Sequence, residues 1–287
     1  MKAMFRHELS SYFTNITGYV FGAFLLLFVG IFTMIYNINY SVSNYEYVLG
    51  NMSFVFLIIV PVLTMRSIAE ERKQKTDQLL YSLPLTMTQV VLGKYGAMIC
   101  VLALPMIPIC IYPLVLSAYG NVYLPAAFGS VVGFFFLGAA LIAIGTFVSS
   151  LTESQPIAAG ICFVVMLVNY YLYDLAGFVS QTAFASLVAL STAILVLAVL
   201  FRHMTKNGFL AGILGIVAEA GLLIWYFADS VAFEGLFPEV IRNLSLFERF
   251  YIFIDGIFDV TGIVYFLTVI GVFLFLTVQS MDKRRWS

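Results

Sequence analysis

Long apolar runs separated by short polar breaks dominate this chain. Runs of bilayer length lie at about 17–36, 48–67, 94–117, 124–149, 156–173, 182–201, 208–228 and 260–281. Roughly 20 apolar residues suffice for a helix to cross the hydrocarbon core of a membrane. Backbone amides in lipid must be satisfied internally, so each run is predicted to be an α-helix. The expected fold is all-α and polytopic, with about eight transmembrane helices in one domain over residues 1–287. A six-span reading makes 182–228 re-entrant or interfacial.

Three breaks in the pattern have helical character of their own. In residues 1–16, Phe5, Leu9, Tyr12 and Phe13 recur at helical spacing, with Arg6, His7 and Ser10 opposite. That arrangement suits an interfacial helix ahead of a retained first span. Residues 229–259 place Leu236, Phe237, Val240, Ile241, Phe247 and Phe250 among Glu239, Arg242, Glu248, Arg249 and Asp255. They are expected to form a pair of external amphipathic helices, with Phe247, Glu248, Arg249 and Phe250 as a candidate lip. Such a lip caps a transport path, docks an extracytoplasmic accessory protein, or seals the protein against headgroups.

The third break, residues 66–93, is the most charged. Glu70, Glu71, Arg72, Lys73, Lys75 and Asp77 follow Arg66 within a few positions. Good helix formers run from Ile68 to Leu80, and Glu71 and Lys75 have the spacing of an i,i+4 pair. Pro84 stops that helix. Thr86 and Gln89 have the pattern of a capping box that starts the next one. A loop that only fixes topology needs a few positive charges. A mixed-sign helix joined to two spans suits a docking element for a soluble partner better.

Composition sharpens this picture. The chain is 62% hydrophobic and 10% charged, too greasy for a soluble domain of 287 residues. Net charge is −1, so no nucleic-acid partner is indicated. With the N-terminus inside and eight alternating spans, only Arg242 and Arg249 of the 14 Lys and Arg residues fall outside. Both termini are therefore expected on the cytoplasmic side of the membrane. Cys100, Cys110 and Cys162 all lie in apolar runs, and His7 and His203 are far apart, so no metal constellation is expected.

The charged loop resembles the coupling loop of ABC-2 type transporter permeases. The resemblance is carried by Glu70, Glu71, Arg72, Thr76, Leu79, Leu80 and Pro84, with Gly93-Lys94 resembling the start of the third span. The sequence departs at Lys75, where the family usually has Gly, and at Gln78, where it usually has Glu. FRHELSSYF resembles the family's elbow helix with its Glu-Leu pair. Phe247-Glu248-Arg249-Phe250, Gly256, Asp259, Tyr265-Phe266 and a final Arg-Arg-Trp resemble the gliding-motility-associated branch. The resemblance covers roughly 1–175 and 236–287; residues 176–235, with two extra spans beyond the six-span plan, lie outside it.

The resemblance implies a permease subunit of an ATP-driven exporter. It also implies a second permease chain, identical or related. A separate ABC ATPase subunit would dock at Glu70, Glu71, Arg72, Thr76, Asp77, Gln78, Leu79, Leu80 and Pro84. ATP and its Mg ion would be held by that subunit, because this sequence carries no G-x-x-x-x-G-K-[ST] and no cofactor of its own is expected.

Two rival classes remain open at this stage. An intramembrane enzyme needs a nucleophile–base pair, and none appears within the spans. An ion-coupled secondary transporter needs polar groups near the midplane. Glu219 is the one carboxylate deep in a span, and Pro105 and Pro108 interrupt the third span with Pro113. These are gating candidates, or else a hydrogen-bonded structural acid and a kinked packed helix. Gly18–Gly22, Gly129–Gly133 and Gly208–Gly212 have the spacing of close helix contacts, within one subunit or between two.

Overall fold

The computed structural model describes residues 2–76, 86–205 and 208–285. All regular structure among them is helical. Helices α1 (Lys2–Thr14), α2 (Thr17–Thr33, extended by a π-helical turn Met34–Asn39), α3 (Glu46–Met52), α4 (Phe56–Thr64) and α5 (Ala69–Lys73) come first. They are followed by α6 (Met87–Ser117), α7 (Leu124–Leu151), α8 (Gln155–Tyr170), α9 (Leu172–Phe178), α10 (Ala183–Thr205) and α11 (Gly208–Ala228). The chain closes with α12 (Leu236–Leu244), α13 (Leu246–Ile254) and α14 (Val260–Arg285).

Helices run through every apolar segment predicted from the pattern. Five stretches are long and apolar enough to cross a membrane alone: Thr17–Asn39, Glu46–Lys73, Met87–Ser117, Leu124–Leu151 and Val260–Lys283. The number is up to 7 if Gln155–Tyr170 with Leu172–Phe178, and Gly212–Ala228 with Val231–Leu244, each count as one. The protein is thus an all-helical membrane protein with five to seven candidate spans among the described residues. Two amphipathic helices, α12 and α13, occupy the 229–259 segment.

The chain divides into two compact units, Met1–Tyr170 with Leu246–Ser287, and Tyr171–Ser245. In the first, α7 is the hub. It packs against α4, α6, α8, α13 and α14. Its apolar window is 78% buried, against 22–33% for those of Thr17–Asn39, Met87–Ser117 and Val260–Lys283. Small residues make this possible, since tight helix packing in lipid needs backbones to approach closely. A Cβ added at Gly145 would sit 2.8 Å from Thr64 Cβ, so α4 passes directly over this position. Toward the other end, Phe134 stacks on Phe56 at 4.4 Å and meets Phe250 at 5.9 Å. Long exposed side chains such as Leu104, Ile107 and Phe275 face outward, as a lipid-facing surface requires.

Helix α6 runs unbroken from Met87 to Ser117 despite Pro105, Pro108 and Pro113. At 1.5 Å per residue it is about 46 Å long, well over the hydrocarbon thickness of about 30 Å. Part of it therefore extends beyond the apolar zone; Lys94 lies in its third turn.

The second unit is built on α10 packed against α11. Ser191 Oγ donates to Glu219 Oε1 at 2.9 Å between these two helices. Phe233 is fully buried beneath Trp225 and Tyr226, with ring centroids 5.0 and 5.3 Å away. Gly235, at φ 72, turns the chain into α12 and donates to Gln181 O. Arg242 lies over the ring of Tyr173 at 5.1 Å.

The packing at Gly145 makes a two-sided prediction. Gly145→Ala should lower stability by about 1–3 kcal/mol, because the overpacked neighbour is the branched base of Thr64. Gly212→Ala, where nothing lies within 4 Å of the added atom, should be neutral or stabilising by up to about 1 kcal/mol through helix propensity. Thermal unfolding of both variants in detergent checks the pair.

Candidate functional site

Arg66, Glu70, Glu71 and Arg72 do not project as one solvated face. They fold back against other helices, whereas Lys73 and Lys75 are exposed. Ser149, one turn from the end of α7, accepts from the backbone N–H groups of Ile68 and Ala69 at 3.2 and 3.1 Å. These are donors that the start of α5 leaves without helical partners. Arg72 is 5% exposed, and its Nη1 donates to Ser150 O, which also accepts from Ser280 Oγ of α14 at 3.3 Å.

Helix α5 is shorter than the sequence suggests. The pattern of helix formers predicts a helix from Ile68 to Leu80, but α5 spans only Ala69–Lys73. Lys75 adopts φ 57, in the left-handed region. Its N–H reaches Arg72 O at 3.1 Å, while the N–H of Thr76 reaches Glu71 O at 2.9 Å. These two bonds are a Schellman termination. Glycine is the residue usually found where such a motif turns left-handed, so the family's preference at this position has a backbone cause. The i,i+4 pairing of Glu71 with Lys75 is overturned too: helical geometry ends before Lys75.

Glu71 pairs instead with Lys94. The Lys94 ammonium lies 2.7 Å from Glu71 Oε1 and 2.7 Å from Glu8 Oε1, and Lys94 is only 1% exposed. Three helices, α1, α5 and α6, thus meet on one buried cation. Gly93 permits the approach: a Cβ there would stand 3.2 Å from Met4 Cβ of α1. Beside it, Tyr12 is buried, and its hydroxyl is held well above the usual phenol range, first by burial and then by the Glu8 charge. Arg66 grips Glu70 with two parallel bonds, Nε to Oε2 at 2.8 Å and Nη2 to Oε1 at 3.1 Å. Its Nη1 donates to Thr17 Oγ1 at 3.1 Å. A polar cavity of about 410 Å³ opens between these groups, lined also by His7, Ser67 and Gln74.

Of the residues singled out in the sequence, Glu70, Glu71, Arg72 and Thr76 converge here. Asp77, Gln78, Leu79, Leu80 and Pro84 lie outside the described residues. Thr86 caps α6 by accepting from Gln89 N–H at 3.3 Å. Pro105 is buried and Pro108 half-buried along α6. Glu219 sits in the second unit with Ser191. Phe247 and Phe250 are buried core residues, Phe247 edge-on to Tyr170 at 4.9 Å, whereas Arg249 lies over Tyr265 at 5.7 Å. Among the described residues no group of His, Cys, Asp and Glu has the clustering of a metal site.

Lys94, Glu8, Ser149 and Ser150 are the members of this site that patterns alone do not assemble. Lys94 has a signal in the sequence, as the one charge in a helix that is otherwise apolar from Val90 onward. Glu8 and Lys94 are 86 positions apart, so nothing local joins them.

A family model described as ABC-2 family transporter protein matches residues 32–179, just over half of the chain. The chain belongs to the ABC-2 transporter family. No curated protein matches it. The match takes in α5, Lys94 and both serines of α7, so the ABC-2 permease carries this cluster inside its family region, with Glu8 contributed from before it.

Two outcomes follow for the permease. Lys94→Met leaves two carboxylates without their cation and should cost about 3–5 kcal/mol. Adding Glu8→Gln and Glu71→Gln should recover most of that loss, read as melting temperature in detergent. Lys75→Gly should stabilise the α5 turn by about 1 kcal/mol by relieving the left-handed strain.

Proposed function

We propose that this chain is the transmembrane permease subunit of an ATP-driven exporter in a bacterial cytoplasmic membrane. The membrane permease class follows from family membership; direction, partners and location are the proposal. In this reading α1 is the elbow helix and α5 the coupling helix, both on the cytoplasmic side with the two termini. The eight apolar segments are a six-span core plus two extra spans. A second permease chain, identical or related, completes the path. An ABC ATPase holding ATP and Mg docks at α5 and the residues that follow it. Placement in the gliding-motility-associated branch rests on resemblance of the C-terminal residues alone.

The observation that carries the reading is the anchoring of α5. Ser149 and Ser150 hold it to α7, and Lys94 ties it to α6 and α1. A force on a helix so held is delivered to three other helices at once. A ligand shifts an equilibrium only through its differential affinity for two states. Closure of an ATPase pair against α5 supplies such a difference if α5 moves with the spans.

In this reading the ATPase meets the exposed side of α5. Glu71 and Arg72 are consumed inside the protein, whereas Lys73, Gln74 and Lys75 are exposed. Lys73→Glu with Lys75→Glu should reduce permease-stimulated ATP hydrolysis by at least about tenfold while leaving the melting temperature unchanged, since exposed charges contribute little to stability. Purification in mild detergent with a stoichiometric Walker-motif subunit is the expected result. A folded, ATPase-free preparation would favour an ion-coupled transporter, for which the Ser191–Glu219 pair is the supporting observation.

A further inference from the structure

The polar cavity has an apolar neighbour. A slot of about 130 Å³ lies between α2 and α4, lined by Val20, Phe21, Phe24, Ile58, Val62 and Leu63, among others. Thr17 lines both the slot and the cavity. Its hydroxyl accepts from Arg66, so a guanidinium stands where the greasy space meets the polar one. Val20, Ile58 and Val62 are 42–49% exposed on the spans, so the slot opens toward lipid.

The charge balance of the cavity restricts what enters it. Three carboxylates, Glu8, Glu70 and Glu71, face two permanent cations, Arg66 and Lys94. The Lys94 ammonium is already shared by Glu8 and Glu71. Among the carboxylates and permanent cations of the lining the balance is thus −1, and a purely anionic guest is disfavoured. Arg66 still has donors to offer: of its five N–H groups, two serve Glu70 and one serves Thr17. A second, independent sign of a ligand is Ser67. It is 4% exposed, lines the cavity, and its Oγ has no hydrogen-bond partner. Buried hydroxyls are normally satisfied, and leaving one unmade costs free energy.

We propose that cavity and slot together bind one phospholipid with a primary-amine headgroup, of the phosphatidylethanolamine type. The ammonium sits among the carboxylates of Glu70 and Glu71. The phosphate takes the spare Arg66 N–H groups and the Ser67 hydroxyl. An acyl chain leaves past Thr17 into the slot between α2 and α4. A choline headgroup carries the same charge but has no N–H to donate to a carboxylate, and a glycerol headgroup leaves the lipid anionic. The site places a bilayer lipid in direct contact with Glu70 and Glu71 of α5. The binding claim stands apart from the transport reading, because it needs neither ATP nor an ATPase.

The test is native mass spectrometry of the purified, delipidated full-length chain, titrated separately with phosphatidylethanolamine, phosphatidylcholine and phosphatidylglycerol. The amine lipid should be retained about tenfold more strongly than either other lipid, a difference that one or two charge-assisted bonds supply. Ser67→Ala should weaken that retention several-fold while leaving the lipid-free melting temperature unchanged or raised. Val62→Trp should fill the slot and abolish the preference. Equal retention of the three lipids, or full retention by Ser67→Ala, overturns the proposal. So does competition by inorganic phosphate alone, which would mark a free-anion site. If Val62→Trp does not fold, Ser67→Ala decides the matter.

Discussion

A lysine ammonium buried among three helices is the constraint on which this end of the protein depends. Lys94 cannot stay charged in an apolar setting without partners, because desolvating an ion costs several kcal/mol. Glu8 and Glu71 supply the partners, each at 2.7 Å. Neither carboxylate is nearby in sequence, so satisfying one lysine fixes the positions of α1 and α5 against α6. Replacing all members of a buried ion cluster by well-packed apolar residues is often neutral for stability. Removing a single member is the costly event.

The hub helix α7 provides the second half of the frame. Its buried small residues, Gly138, Ala139, Ala140, Ala143, Gly145 and Ser149, are spread around the helix, so it can be packed on several sides. Near its end the Ser149 hydroxyl accepts from the first N–H groups of α5, and the backbone carbonyl of Ser150 accepts from Arg72. A residue without a hydroxyl at position 149 would leave those N–H groups without this partner.

The coupling role proposed for α5 asks for a stiff, short element. Five residues of helix, capped at one end by a serine from another helix and closed at the other by a Schellman turn, meet that requirement. The strain of a left-handed lysine at position 75 is the visible local cost of stopping the helix there. Stopping it directs Glu71 inward to Lys94 and leaves Lys73 and Lys75 outward. The polarity of the segment is thereby sorted into an internal anchor and an external face, which a continuous helix to Leu80 would have arranged differently.

Hydrophobic periodicity by itself determined the all-helical architecture and the location of the apolar segments, because lipid permits little else for long greasy runs. It also gave the N-cap at Thr86 and the helix pair in 229–259, both local signals. That residues 66–76 differ from the spans on either side was legible from their charge alone. What each charge does there was not. Helical spacing offered Glu71 one partner, Lys75 four residues on. Only the tertiary structure, through the left-handed turn at Lys75 and the close passage of α1 at Gly93, decided for Lys94. Phe247 and Phe250 show the same limit: an amphipathic pattern says that one face is apolar, but not whether lipid, a partner or the protein's own Phe134 and Tyr170 covers it. Pattern reports the chemistry of a face, whereas its neighbour is fixed by how distant helices pack.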